Sequence, residues 1–227
     1  MATAPGQNGY ILWGGGPSRS LLVELVLAEV GAPYELRDLD IYGGPYSMAD
    51  LQDANPYGWI PMLETSDGDR IAETPAITTW LAEAHESPLV VYPGQPGRAA
   101  YLSAFHYVIG EIEPIMKRIF FAHRFALREE DTEAARALAW SDLMARLAVQ
   151  EKLLTQGGPW LAGAARTLAD LHFGYWMRYV DLAGQLDDLP SVQTHTRALR
   201  QLSHLTPVFD RLEATILEFY AKRAPKT

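Results

Sequence analysis

Three clusters in this chain of 227 residues have residue types and spacing suited to chemistry. The first is Asn55-Pro56-Tyr57-Gly58-Trp59-Ile60-Pro61-Met62-Leu63. An Asn-Pro turn followed by an apolar-Pro pair entering a strand predicts a fixed turn with an exposed main-chain edge. A proline that begins an edge strand cannot donate to the ladder, and one held cis bends the chain sharply. Ile60 would then offer its N–H and C=O to a peptide-like ligand. The second cluster, Glu73-Thr74-Pro75-Ala76-Ile77, opens a helix with a carboxylate and a hydroxyl. Its free N–H groups and positive dipole suit an incoming carboxylate, although Glu73 and Thr74 also fit a plain helix cap. The third is Gly14-Gly15-Gly16-Pro17-Ser18-Arg19-Ser20, where Ser18 can cap the helix that follows. The glycine run lacks both GxGxxG and GxxxxGK[ST] spacing, so a phosphate loop is not indicated.

Composition removes other chemistries. The chain has no cysteine, which excludes disulfide scaffolds, cysteinyl zinc sites, cysteine nucleophiles and CxxC redox work together. Its six histidines show no i,i+4 pairing and no HExxH pattern, so no metal site is expected. A net charge of −9 argues against non-specific binding to nucleic acid or anionic lipid. No apolar run approaches the roughly 18 residues of a membrane span. Residues 1–7 carry neither a cationic start nor an apolar block, and residues 1–8 are expected as a loose tail on a cytoplasmic protein.

Charge locates a boundary better than the total does. Residues 1–90 hold three basic and thirteen acidic side chains, whereas 91–227 hold sixteen and fifteen. A Pro/Gly cluster, Tyr92-Pro93-Gly94-Gln95-Pro96-Gly97, separates the halves and predicts a linker over 89–97. Before it, over 9–88, strand-like and helix-like stretches alternate. Tyr10–Trp13, Pro33–Asp40, Met62–Glu64 and Arg70–Ala72 read as strands, the last two joined by the hairpin signal Ser66-Asp67-Gly68-Asp69. Helices are expected over 19–30 and 74–84. The order β-α-β-(α)-β-β-α predicts a four-stranded mixed sheet with helices on both faces. After the linker, over 98–227, the pattern is all-helical. Leu102, Phe105, Ile109, Ile112, Met116, Ile119 and Phe120 form one stripe of a long helix. Thr167-Leu168-Ala169-Asp170 fits a capping box with Asp in place of Glu, and Phe209, Leu212, Ile216 and Phe219 mark a last helix.

The Asn-Pro-x-Gly-x-Ile-Pro stretch with Glu73-Thr74 downstream, and the Thr167–Asp170 box within a helical second half, resemble the glutathione transferase family. The likeness runs from Tyr10 to about Tyr220 and lies nearest the serine-type or bacterial classes. It implies a thioredoxin-like N-terminal domain followed by an all-helical C-terminal domain. It also implies a homodimer and glutathione as co-substrate.

Carried over residue by residue, the resemblance makes Trp59, Ile60, Pro61, Glu73 and Thr74 the glutathione-binding set. Ile60 would pair its main chain with the cysteinyl part ahead of a cis Pro61. Glu73 would take the ammonium and Thr74 the carboxylate of the γ-glutamyl end. Four positions depart from the family pattern. Trp13 stands where tyrosine-type classes carry their activating Tyr, and Pro17 where serine-type classes carry a hydroxyl. Trp59 replaces a common Lys or Gln, and Arg166 replaces an apolar residue before the box. Ser18 is therefore the first candidate for stabilising the thiolate, with Ser20 the second. An electrophile pocket is expected at Trp13, His106, Tyr107, Gly110 and Glu111, beside the glycine run and the long helix. The implied activity is transfer of glutathione to a small hydrophobic electrophile, as in detoxification. The alternative is a non-catalytic protein of the same fold that serves as an interaction module.

Overall fold

Strand β1, Tyr10–Gly14, sits inside the sheet because successive residues face opposite sides and both sides are covered. Leu12 is fully buried and Trp13 is 4% exposed. The computed structural model of the chain describes residues 9–40 and 43–223, with the side chains of 219, 220, 222 and 223 excepted. The expected tail, 1–8, lies outside the described residues. Strand β2, Tyr34–Asp38, runs parallel to β1 with Gly14 opposite Asp38. Strand β3, Met62–Glu64, is antiparallel to β1 with Trp13 opposite Met62. Strand β4, Arg70–Ala72, closes a hairpin on β3 with Met62 opposite Ala72. The order is β2-β1-β3-β4, the expected mixed sheet, with the second strand ending at Asp38 rather than Asp40.

Helix α1 spans Ser20–Val30 and ends at Gly31, whose φ of 66° gives the left-handed turn that closes it. Helix α2, Met48–Ala54, brings Leu51 and Ala54 onto the Trp13 and Met62 face, where Leu39 completes a core cluster. Helix α3, Thr74–Ala84, packs with α1, and the two leave Leu12 and Leu63 fully buried. This is a thioredoxin-like domain, as the sequence predicts.

The chain divides into two compact units. One holds the described residues up to Val90 together with those from Arg200 onward, and the other is Val91–Leu199. The second is helical. Helix α4, Arg98–Tyr107, passes through a π-helical segment, Val108–Ile112, into helix α5, Glu113–Phe120. Pro114 has no N–H for the carbonyl four residues back and crowds it, and the wider turn before it absorbs that mismatch. The buried stripe slips accordingly. Tyr101, Phe105 and Val108 precede the bulge and Ile112, Ile115, Met116 and Ile119 follow it, whereas Leu102 and Ile109, expected in the stripe, are only half-buried. Helix α6, Thr132–Gly157, packs on α5. Helix α7, Leu168–Leu182, is buried from Leu168 to Val180.

The capping box at α7 is present. The Asp170 carboxylate, fully buried, accepts from the N–H of Thr167 at 2.7 Å and of Leu161 at 2.8 Å, and meets His195 Nε2 at 2.9 Å. His195 belongs to helix α8, Pro190–Arg200.

Helix α9, Thr206–Arg223, is placed by sequence order in the helical half, yet it groups with the first unit and packs on α1. Its Arg211 pairs with Glu24 of α1, which is 4% exposed and also accepts from the Tyr34 hydroxyl. Burial, and then the neighbouring Glu24, push the Tyr34 hydroxyl above its ordinary range. Replacing Arg211 by Ala leaves a buried carboxylate with a single neutral partner. We expect a loss of about 2 kcal/mol, read as a lower urea midpoint at unchanged slope.

Candidate functional site

Strand pairing sets the site. Because β3 is antiparallel to both neighbours, Trp13, Met62 and Ala72 lie side by side at one end of the sheet. The segments just beyond them therefore emerge at that same end: the glycine run after β1, Ile60-Pro61 before β3, and Glu73-Thr74 after β4. All three clusters singled out by sequence are gathered there by register.

The turn before β3 is held by Asn55, which is 2% exposed. Its Nδ2 donates to the Trp59 carbonyl at 2.7 Å and its Oδ1 accepts from the Tyr57 N–H at 3.1 Å. Gly58, at a φ of 67°, closes the turn. The Ile60–Pro61 bond is cis. The Ile60 side chain packs beside the Trp13, Leu39, Leu51 and Met62 cluster. Among the described residues no main-chain hydrogen bond engages the Ile60 N–H or carbonyl. Trp59 is 66% exposed and presents an indole to solvent.

At the mouth of α3, Glu73 is exposed and takes a φ of 70° and a ψ of 122°. Such a conformation costs a non-glycine residue about 1–3 kcal/mol, so the surrounding structure imposes it. Glu73 makes no side-chain cap bond, so the plain-cap reading does not describe it. Thr74 is fully buried, and among the described residues its Oγ1 has no hydrogen-bond partner. An unmet buried hydroxyl is costly and marks a place where a polar ligand atom would be welcome.

The third cluster differs in detail from expectation. Helix α1 starts at Ser20, with Arg19 in the cap position and no side-chain cap. Ser18 Oγ instead lies 2.8 Å from Ser20 Oγ and accepts from the Ser20 N–H at 3.3 Å. Ser20 is fully buried and Ser18 half-buried. The glycine run makes room for these groups. A Cβ on Gly14 would stand 2.3 Å from Ser20 Cβ, and one on Gly15 1.6 Å from Asp38 Oδ1.

Trp13, expected in an electrophile pocket, belongs to the core. Its Nε1 donates to Glu64 Oε1 at 2.7 Å, and the Arg37 guanidinium lies 5.0 Å from its ring centre. Glu64 also pairs with Arg37 and Arg70. The bond from Trp13 to Glu64 joins residues 51 positions apart, and no local pattern signals it. Asn55 was legible as a turn residue, but its clamp on the Trp59 carbonyl was not.

The other pocket candidates lie in the helical unit. His106 is exposed and its Nδ1 meets the Leu102 carbonyl at 2.9 Å. Tyr107 is half-buried, and burial raises its hydroxyl against the opposing Arg146 charge. Gly110 and Glu111 stand on the π-helical segment, Glu111 pairing with Arg146 at 3.2 Å. Among the described residues no group of three metal-ligating side chains occurs, and no helix is long and apolar enough to cross a membrane.

Comparison with known proteins agrees with this geometry. Residues 19–84 match the family model described as glutathione S-transferase, N-terminal domain. A glutathione S-transferase of Arabidopsis thaliana is 29% identical over 173 residues, spanning 73% of this chain and 79% of its own. The crystal structure of a glutathione S-transferase from Pseudomonas fluorescens is 28% identical with a TM-score of 0.73, covering 88% of this chain and 99% of its own. A glutathione transferase homologue from Sulfitobacter, solved with bound glutathione, is 22% identical with a TM-score of 0.74, over 89% and 98% of the two chains.

The turn itself is testable. Asn55→Ala strands the Trp59 carbonyl and the Tyr57 N–H, and should cost about 1–3 kcal/mol. A denaturation midpoint equal to that of the unmodified protein would refute the clamp.

Proposed function

We propose that this chain is a glutathione transferase, on the match of residues 19–84 to that family's N-terminal domain, and that it binds glutathione and transfers it to a small hydrophobic electrophile. The observation that carries the reading is the gathering, at one sheet end, of a main-chain edge at Ile60 and a hydroxyl at Thr74, both unpaired among the described residues, with the Ser18 hydroxyl. The main chain of Ile60, ahead of Pro61, pairs with the cysteinyl residue. Thr74 and the first turn of α3 take the γ-glutamyl carboxylate, and the exposed Glu73 takes its ammonium. Trp59 lies against the glycyl end by its ring rather than by a charge. The bound glutathione of the Sulfitobacter homologue supports the choice of ligand.

The chemistry asks for an ionised thiol. A free thiol titrates near 8.5, and lowering that by about two units takes about 2.7 kcal/mol of preference for the anion. One hydrogen bond to the charged sulfur supplies about 1.5–3 kcal/mol, and the mouth of α1 adds about 0.3–1 kcal/mol. A single donor, Ser18, therefore suffices. The thiol proton leaves to water, the hydroxyl keeps its own hydrogen, and the sulfur forms a bond to carbon as the leaving group departs with its electron pair. Trp13 cannot serve as that donor, because its indole N–H is committed to Glu64. In the helical unit we assign Tyr107, Gly110 and Glu111 to the electrophile, with His106 beside them. The protein acts in the cytoplasm, in detoxification, as a homodimer.

A second reading, an interaction module without catalysis, is favoured by Trp59 in place of a cation and by the acidic first ninety residues. Calorimetry separates the two. Glutathione should bind at millimolar concentration or below, and absence of heat there would favour the module. Ser18→Ala should lower turnover by about one to two orders of magnitude with little change in glutathione affinity. Equilibrium sedimentation at micromolar concentration should return twice the chain mass, and a monomer mass throughout would remove the dimer.

A further inference from the structure

In the helical unit, a cavity of about 350 Å³ lies between the end of α6 and helix α8, a volume at the lower end of the range for small-molecule sites. Leu154, Pro159, Pro190 and Ala198 give it apolar walls, and Ser191 and Thr194 supply hydroxyls. His195 lines it as well, with a side chain only 1% exposed. The bonding capacity of that ring is half spent. A carboxylate only accepts, and Asp170 already takes the N–H groups of Leu161 and Thr167. The hydrogen on its 2.9 Å contact with His195 therefore sits on Nε2. In the neutral imidazole Nδ1 is then the acceptor, and among the described residues it has no hydrogen-bond partner. Trp160 and Phe173 pack against the ring edge to face, each centre 5.4 Å away, and hold it in place. Buried polar atoms are rarely left unmet.

We propose that this cavity binds a small planar aromatic alcohol, its ring against the apolar walls and its hydroxyl donating to His195 Nδ1. The surrounding charges select a neutral guest. The start of α8 would draw an anion, but the Glu151 carboxylate occupies it, accepting from the Ser191 and Val192 N–H groups at 3.0 Å. A cation would give up hydration to mostly apolar walls and find the Asp170 carboxylate already engaged. The Ser191 hydroxyl is paired with Thr155 Oγ1 at 2.9 Å, which leaves His195 Nδ1 as the acceptor for the guest. The site draws on none of the residues assigned to glutathione or to its electrophile, so it stands whether or not the chain is a transferase.

The probe is naphthol, with naphthalene as the match that lacks the donor. In a titration followed by the ring-nitrogen NMR resonances of the histidines, naphthol should shift His195 Nδ1. Naphthalene should displace it only at about two- to tenfold higher concentration, the worth of one hydrogen bond, even though it is the more apolar molecule. Ala198→Phe, on a half-buried wall, fills the cavity and should abolish the shift while the urea midpoint stays near that of the parent. A His195 Nδ1 resonance that naphthol leaves in place would overturn the proposal, and that reading needs no variant. Displacement by naphthalene at equal or lower concentration would overturn the hydroxyl contact. A shift that survives in folded Ala198→Phe would place the guest elsewhere and overturn the site. Should Ala198→Phe not fold, Thr194→Trp on the exposed rim takes its place with the same expected loss.

Discussion

The pairing of Trp13, Met62 and Ala72 across three neighbouring strands is the constraint from which the rest of the first unit follows. Side chains alternate faces along a strand, so a slip of one residue would turn Trp13 to the other face and expose the cluster it shares with Leu39, Leu51 and Met62. Hydrophobic burial thus pins the register. The register in turn decides that the glycine run, the Ile60–Pro61 turn and the mouth of α3 leave the sheet at the same end. Site geometry is a by-product of core packing here.

Buried polar groups divide into two kinds in this molecule. Asn55, Asp170 and Glu24 are each engaged by main-chain or side-chain partners, and each fixes a local element: a turn, a helix start, the seat of the last helix. Thr74 has the same burial without a partner among the described residues, and its neighbour Glu73 holds a backbone conformation that no side-chain cap bond of its own favours. Other buried atoms, Asp38 Oδ1 and Trp176 Nε1 among them, also lack a partner among the described residues, and Glu86 also has a positive φ; at Glu73 and Thr74 the two features adjoin at one helix mouth. Strain and unmet bonding capacity concentrate where ligands bind.

Trp13 shows how sequence spacing misleads. Counting along the chain puts it at the place of an activating hydroxyl, but its neighbours in space are Glu64, Arg37 and Tyr46. An indole that fills a core and gives its one N–H to a carboxylate has no donor left for chemistry. The long helix misled in a smaller way. Its apolar period was legible, yet Pro114 within it implied a broken ladder, and the resulting π turn moved the buried stripe from Ile109 to Val108.

Local chemistry was readable in the residues themselves. Turn formers at Asn55 and Gly58, the Thr167–Asp170 box, the hairpin at 66–69, the strand and helix periods and the absence of cysteine are properties of short segments, governed by dihedral preference, capping and side-chain pattern. Those segments sufficed for the order of elements and for three candidate clusters. What only the folded chain decided were relations between distant segments: which of two hydroxyls is buried, where the Trp13 N–H goes, that Thr74 lacks a partner, and that the last helix seats its Arg211 on Glu24. The reason is physical. Each depends on pairwise contacts across tens to nearly two hundred residues, for which the chain carries no local signal, and on burial, which belongs to the assembled core and not to any single residue.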